Sequence, residues 1–154
     1  MPDLHRIVLE DGAPAHTSPL LEADRAQAVT DLLGDNRFRP VGRPPAPLVL
    51  HLLVQHGRLV FDIRDAQDAP IIAHALALGP FRGLIRDYEM LVESHMTAVA
   101  EGREARIQAI DMGRRGLHNE GAELLRQRLA GKIELDFETA RRLFTLVCVL
   151  RTRI

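Results

Sequence analysis

Between Leu48 and Asp65 the hydrophobic positions alternate with a period of two. Leu48, Leu50, Leu52 and Val54 interleave with Val49, His51, Leu53 and Gln55, and Leu59, Phe61 and Ile63 interleave with Val60, Asp62 and Arg64. Alternation of this kind marks strands with one face turned to a core. His56-Gly57 between them suits a two-residue hairpin turn. The pattern predicts antiparallel strands at 48–55 and 58–65. A two-residue turn fixes the register, because a slip by one would turn every apolar side chain outward. It sets Val54 opposite Leu59, Leu52 opposite Phe61 and Leu50 opposite Ile63, with His51 facing Asp62 and Val49 facing Arg64 on the other side.

The remaining chain divides by the same logic. Leu4–Glu10 carries the strand signal Ile7-Val8-Leu9, broken by Asp11-Gly12-Ala13-Pro14. Ser18-Pro19 opens a helix as cap and first helical residue. Its apolar positions run from Leu20 to Leu33, and Gly34 ends it as a C′ residue. Prolines 40, 44, 45 and 47 make 35–47 an extended loop, a lid or a surface tether. Pro70–Leu78 reads as a third strand, with either its even or its odd positions facing the core.

Pro80 begins a long amphipathic helix with Phe81, Leu84, Ile85, Tyr88, Leu91, Val92, His95 and Val99 on its stripe. His95 suits the edge of a core better than a ligand role. After Gly102, positions Ile107, Ile110, Leu117, Leu124 and Leu129 keep helical spacing up to Gly131. Lys132–Leu135 is a short extended link, and Asp136 caps a last helix. In that helix Leu146-Val-Cys-Val-Leu150 is five apolar residues in succession. Successive helical residues turn by about 100°, so these side chains point in every direction and must be surrounded. Either this helix is central, or a second copy covers one side. Arg151 and Arg153 would mark its return to solvent. The element order β-α-β-β-β-α-α-α, strands first and helices last, predicts an α+β fold with a mostly antiparallel sheet, one domain over 1–154.

One stretch does not fit core packing. Asp111-Met-Gly-Arg-Arg-Gly-Leu-His-Asn-Glu-Gly121 places three glycines, two arginines and a histidine inside a helical segment. Glycine costs roughly 1 kcal/mol relative to alanine within a helix, so three require compensation from packing or from function. Arg114, Arg115, His118 and Glu120 are the candidate ligand-binding residues. A purely structural reading stands beside this one. In it Asp111 pairs with Arg115, Glu123 pairs with Arg126, and the glycines let another element approach closely.

Composition narrows the chemistry. The 154 residues are 46% hydrophobic and 27% charged, with a net charge of −1. These values belong to an ordinary globular domain without a global field for nucleic acid or membrane. Residues 1–102 hold nine arginines against fourteen carboxylates, while 103–154 hold ten arginines and one lysine against seven, so the helical half is mildly basic. Arginine supplies all basic residues but Lys132, a bias that suits phosphate recognition but also follows from a GC-rich genome. Cys148 is the one cysteine, which excludes an internal disulfide and a cysteine zinc cage. It lies in too apolar a setting for a reactive thiolate. With no long apolar run and no signal-peptide pattern, a cytoplasmic location is expected. Gly113-Arg-Arg-Gly116 lacks the ending of a phosphate-binding loop. His118-Asn-Glu120 lacks the second histidine of the helical zinc motif, and no nucleophile elbow exists. No metal and no cofactor are expected.

Phe61-Asp-Ile-Arg-Asp65, the Asp111–Gly121 run and Ala140-Arg-Arg-Leu-Phe144 together resemble uncharacterised protein family 0262, a bacterial family. The resemblance extends from the first strand to the last helix and leaves out the proline-rich 40–47. It implies a stand-alone bacterial cytosolic domain. It implies no activity and no functional residues.

Two functions of different class follow. In one, the chain is a binding or interaction module whose polar helix presents Arg114, Arg115 and His118 to an anionic small molecule or an acidic protein. In the other it is a small metal-independent enzyme. His118 would then be the general acid or base, and Arg114 or Arg115 would hold a phosphate or carboxylate. Either would be a monomer or a homodimer through the C-terminal helix, with nucleic acid not the expected partner.

Overall fold

The computed structural model describes residues 2–10 and 18–151. The expected break at Asp11–Pro14 and the Arg151 and Arg153 side chains lie outside the described residues. Among the described residues six strands and four helices follow one another as β1 (Leu4–Glu10), α1 (Pro19–Gly34), β2 (Phe38–Pro40), β3 (Leu48–Gln55), β4 (Arg58–Arg64), β5 (Pro70–Ala77), α2 (Arg82–Ala100), α3 (Glu104–Leu129), β6 (Ile133–Leu135) and α4 (Phe137–Arg151). A single 3-10 turn at Gly79–Phe81 leads into α2. The fold is α+β, as the order of elements predicts.

The hairpin forms in the expected register. Val54 pairs with Leu59, Leu52 with Phe61, Leu50 with Ile63, His51 with Asp62 and Val49 with Arg64. Leu50, Leu52, Phe61 and Ile63 are fully buried. His56 and Gly57 both take positive φ, 52° and 72°, the backbone that a tight turn matched to strand twist requires. β5 settles its two-way choice by pairing Ile72 with Ile63, His74 with Phe61 and Leu76 with Leu59. Its even positions therefore share the buried face, and Ala73, Ala75 and Ala77 are exposed on the other.

The main sheet has the order β1-β3-β4-β5, with β1 parallel to β3. A parallel neighbour needs a crossover, and α1 lies within it. The sequence pattern shows no βαβ alternation, because the short β2 and the proline-rich loop separate α1 from β3. Asn36, just past α1, ties the two elements together. Its Oδ1 accepts from the Asp3 and Leu4 amides at 3.0 and 2.8 Å. Its Nδ2 donates to the Leu4 and Leu32 carbonyls at 3.0 and 2.7 Å. Gly34 is not the expected C′ residue. It is the last helical residue, and Asp35 closes the helix in extended backbone with its N–H on the Asp31 carbonyl. Ser18 caps the other end, accepting from Leu21 N at 3.1 Å.

Two segments read as irregular form a second sheet. β2 lies inside the expected loop 35–47 and pairs antiparallel with β6 inside the expected link 132–135, three residues each. Such a short pairing between distant segments leaves no periodic trace. Pro40 is tolerated at the strand end, where a missing donor is of little consequence. Fully buried Phe38 anchors the pair.

α4 is the central helix. It packs on α3, α1, α2 and β3. Leu143, Phe144, Leu146, Val147, Cys148 and Val149 are all buried within this one chain. Four of the five residues of the apolar run are thus enclosed within one chain, and Leu150 is partly buried. Asp136 caps the helix, its Oδ1 accepting from Thr139 N at 3.0 Å. Two expected apolar positions face solvent: Leu33 is 38% exposed at the end of α1, and Val99 is 54% exposed, with Ala98 buried in its place at the end of α2.

Candidate functional site

α3 runs unbroken through Asp111–Gly121, so rotation about its axis decides where each candidate points. Arg114 and His118 are four residues apart and share the inward face. Arg115 and Glu120 are exposed on other faces. The four expected site residues therefore do not form one site.

Inward, the structure builds a polar network among α1, α2 and α3. The Arg114 guanidinium donates to Asp24 Oδ1 at 2.6 Å and to Asp111 Oδ1 at 3.2 Å. The Tyr88 hydroxyl donates to Asp24 Oδ2 at 2.6 Å. Asp24 therefore joins three helices through one carboxylate. Burial raises its pKa, and the Tyr88 hydrogen bond and the Arg114 charge counter that rise. Burial also pushes the Tyr88 hydroxyl up, and the Asp24 charge adds to the effect. The expected Asp111–Arg115 pair is replaced by Asp111–Arg114, because Arg114 turns toward Asp24 and brings its fork past Asp111. Glu123 and Arg126 form no ion pair among the described residues.

His118 is 3% exposed, and its ring lies 5.6 Å from that of Tyr88. Its Nε2 is buried without a hydrogen-bond partner. Desolvation, with the Arg114 and Arg141 charges, lowers its pKa to about 4. No carboxylate contributes, so this is a neutral histidine near pH 7, held by packing. It has neither the carboxylate partner nor the open cleft that proton transfer to a substrate would need.

The glycines separate in the same way. A Cβ at Gly121 would lie inside the Phe144 ring of α4, so close helix packing requires glycine there. A Cβ at Gly113 would make only ordinary contact with Leu91, and at Gly116 it would meet open space. Packing within the chain accounts for one glycine of three. Beside Gly116 the outward face carries Met112, 74% exposed, and Arg115. Arg126 is also exposed, and eleven residues bring it to within about 20° of Arg115 around the helix and about 16 Å along it. Neither arginine has an ion-pair partner among the described residues.

Two further features have no counterpart in the sequence reading. An open groove of about 710 Å³ borders the end of α3 and β6, lined by Arg37, Glu123, Arg126, Gln127, Glu134 and Asp136 among others. Its mixed charge favours no one sign of ligand. On the outer sheet face, His51 Nε2 lies 2.8 Å from Asp68 Oδ1, and its Nδ1 lies 3.3 Å from a Glu10 oxygen. Arg64 bridges Asp62 at 2.8 Å and Asp68 at 3.0 Å. His51 thus faces Asp62 in register but bonds Asp68, and Arg64 bridges the two carboxylates. The His51 hydrogen bond, with help from the Arg64 charge, lowers the Asp68 pKa. A turn residue seventeen positions from His51 leaves no sequence signal for such contact.

The model of the uncharacterised protein family UPF0262 matches residues 1–153. The chain belongs to this family. Similar relatives are the UPF0262 proteins of the bacteria Acidiphilium cryptum, Granulibacter bethesdensis and Rhizobium etli. The first is 62% identical over 150 residues, covering 97% of this chain and 93% of the relative. The second is 62% identical over 159 residues, covering 98% and 90%. The third is 48% identical over 147 residues, covering 96% and 93%. No solved structure matches the chain. Within this UPF0262 chain, no helix among the described residues is long and apolar enough to cross a membrane. No cluster of three or more potential metal-ligating side chains occurs among them either.

Proposed function

We propose that this UPF0262 chain is a protein-binding module that docks the outward face of α3 on an acidic partner surface. The observation that carries it is the pair Arg115 and Arg126, exposed on one face of α3 without ion-pair partners among the described residues. Their separation of about 16 Å suits two carboxylates on a protein better than one small anion. Gly116 and exposed Met112, on the turns beside Arg115, allow close approach and supply apolar contact. The net positive charge of 103–154 favours the same sign of partner. Against the enzymatic alternative stands His118, neutral and buried. We place the protein in the cytoplasm, whose reducing conditions suit a chain with a single cysteine.

The test uses poly-glutamate as a model acidic surface. Fluorescence anisotropy at low ionic strength should show binding that weakens as salt rises. An Arg115→Glu/Arg126→Glu variant with unchanged circular dichroism should lose it. Inorganic phosphate should leave the melting temperature unaltered. Absence of poly-glutamate binding by the wild type, or binding unaffected in the variant, overturns the reading.

A further inference from the structure

β5 is an edge strand whose usual defences are confined to its start. It pairs with β4 on one side, and no described strand pairs with the other. Edge strands in soluble proteins are generally protected by charges, prolines, bulges or a covering element. Here Pro70 and the irregularity opposite Ile63/Arg64 protect only the start. From Ile71 to Ala77 the sequence Ile-Ile-Ala-His-Ala-Leu-Ala contains no lysine, arginine or carboxylate.

We propose that this edge pairs antiparallel with β5 of a second copy, joining two four-stranded sheets into one. An antiparallel pairing of identical strands is self-complementary about a two-fold axis, the commonest symmetry of small assemblies. With His74 on the axis, Ile72 lies opposite Leu76 of the second copy on the core face. Ala73 lies opposite Ala75 of the second copy on the outer face, where small side chains let the strands approach. Charge at the strand ends supports the same orientation. Arg64, Asp65 and Asp68 gather at the start of β5, a net negative group. Arg58, paired with Ala77, and exposed Arg82, the first residue of α2, mark its finish. Antiparallel pairing sets the acidic end of one copy against the basic end of the other, and parallel pairing would not. The C-terminal helix offers no comparable surface, since Leu146 and Val149 are buried within the chain.

Light scattering on the eluting wild-type chain, from low to high micromolar, should show a dimer. Hydrogen exchange should show β5 amides that gain protection with concentration. Ala73→Lys/Ala75→Lys places like charges opposite each other across the axis without touching the core face. It should keep the circular dichroism spectrum and raise the dimer dissociation constant roughly tenfold or more. The Arg115→Glu/Arg126→Glu variant should dimerise as the wild type does, so this proposal and the α3 docking face stand or fall separately. A wild type monomeric throughout, a lysine variant dimerising equally well, or β5 amides protected only by a different added chain would each overturn it.

Discussion

Replacing Gly121 by alanine and Gly116 by alanine makes the same chemical change twice in one helix. The structure gives the two opposite signs. Intrinsic helix propensity favours alanine over glycine by about 1 kcal/mol at either position. At Gly116 nothing opposes that gain, because the new methyl meets open space. Gly116→Ala should therefore stabilise by about 1 kcal/mol. At Gly121 the methyl would enter the volume of the Phe144 ring. Phe144 is fully buried in the central helix, and its ring centroid lies 6.2 Å from that of Phe81. Relief requires the ring or the whole α3–α4 contact to move. Overpacking a dense core costs about 1–3 kcal/mol, and an overlap with a ring that has no free side belongs at the upper end. Net of propensity, Gly121→Ala should destabilise by about 2 kcal/mol. The two variants should differ by about 3 kcal/mol, or very roughly 6–12 °C in melting temperature for a domain of this size. Urea titrations with matched slopes measure the difference directly. A Gly121→Ala variant as stable as Gly116→Ala would refute the α3–α4 approach.

Asn36→Ala should cost about 2–4 kcal/mol in urea unfolding, since it strands buried backbone groups of Leu4 that the amide now satisfies. A loss near zero would mean that water replaces the amide. His118 has its folded pKa lowered to about 4 against 6.5 when unfolded. The unfolded chain thus binds the extra proton first as pH falls. The neutral-His118 contribution is complete above about 6.5 and is lost on the way down to about 4, amounting to about 3 kcal/mol. His118→Gln should flatten that part of the stability–pH curve relative to wild type. Asp24, whose pKa is raised, works in the opposite direction in both proteins, so parallel curves would show that His118 titrates normally. Cys148 is fully buried, and burial raises its thiol pKa well above the usual value. A thiol reagent should label it slowly in native protein and rapidly in denaturant, and rapid native labelling would contradict the central placement of α4.

The elements legible in the sequence are those whose information is local and periodic. Alternation from Leu48 to Arg64 with His56-Gly57 between determined the hairpin and its register, because a side-chain period of two allows no slip. Ser18 and Asp136 announced their helices through capping chemistry. The five-residue apolar run in α4 required an enclosed helix, since it leaves no polar side for solvent. What the tertiary structure decided rests on contacts between distant segments. The β2–β6 pair is three residues long and joins positions about a hundred apart, too short for a period and too remote for a turn signal. The parallel placement of β1 beside β3 joins segments about forty positions apart, and the Asn36 amide that holds Leu4 to the end of α1 carries no pattern of its own. The polar run in α3 showed where unusual residues were concentrated but not which way they face. Asp24, ninety positions before Arg114 and itself held by Tyr88, turns Arg114 inward and occupies its guanidinium. Arg115 remains outside because the next residue on a helix turns by about 100°. A sequence gives that angle, but the face that meets the core is chosen by the elements packed against it.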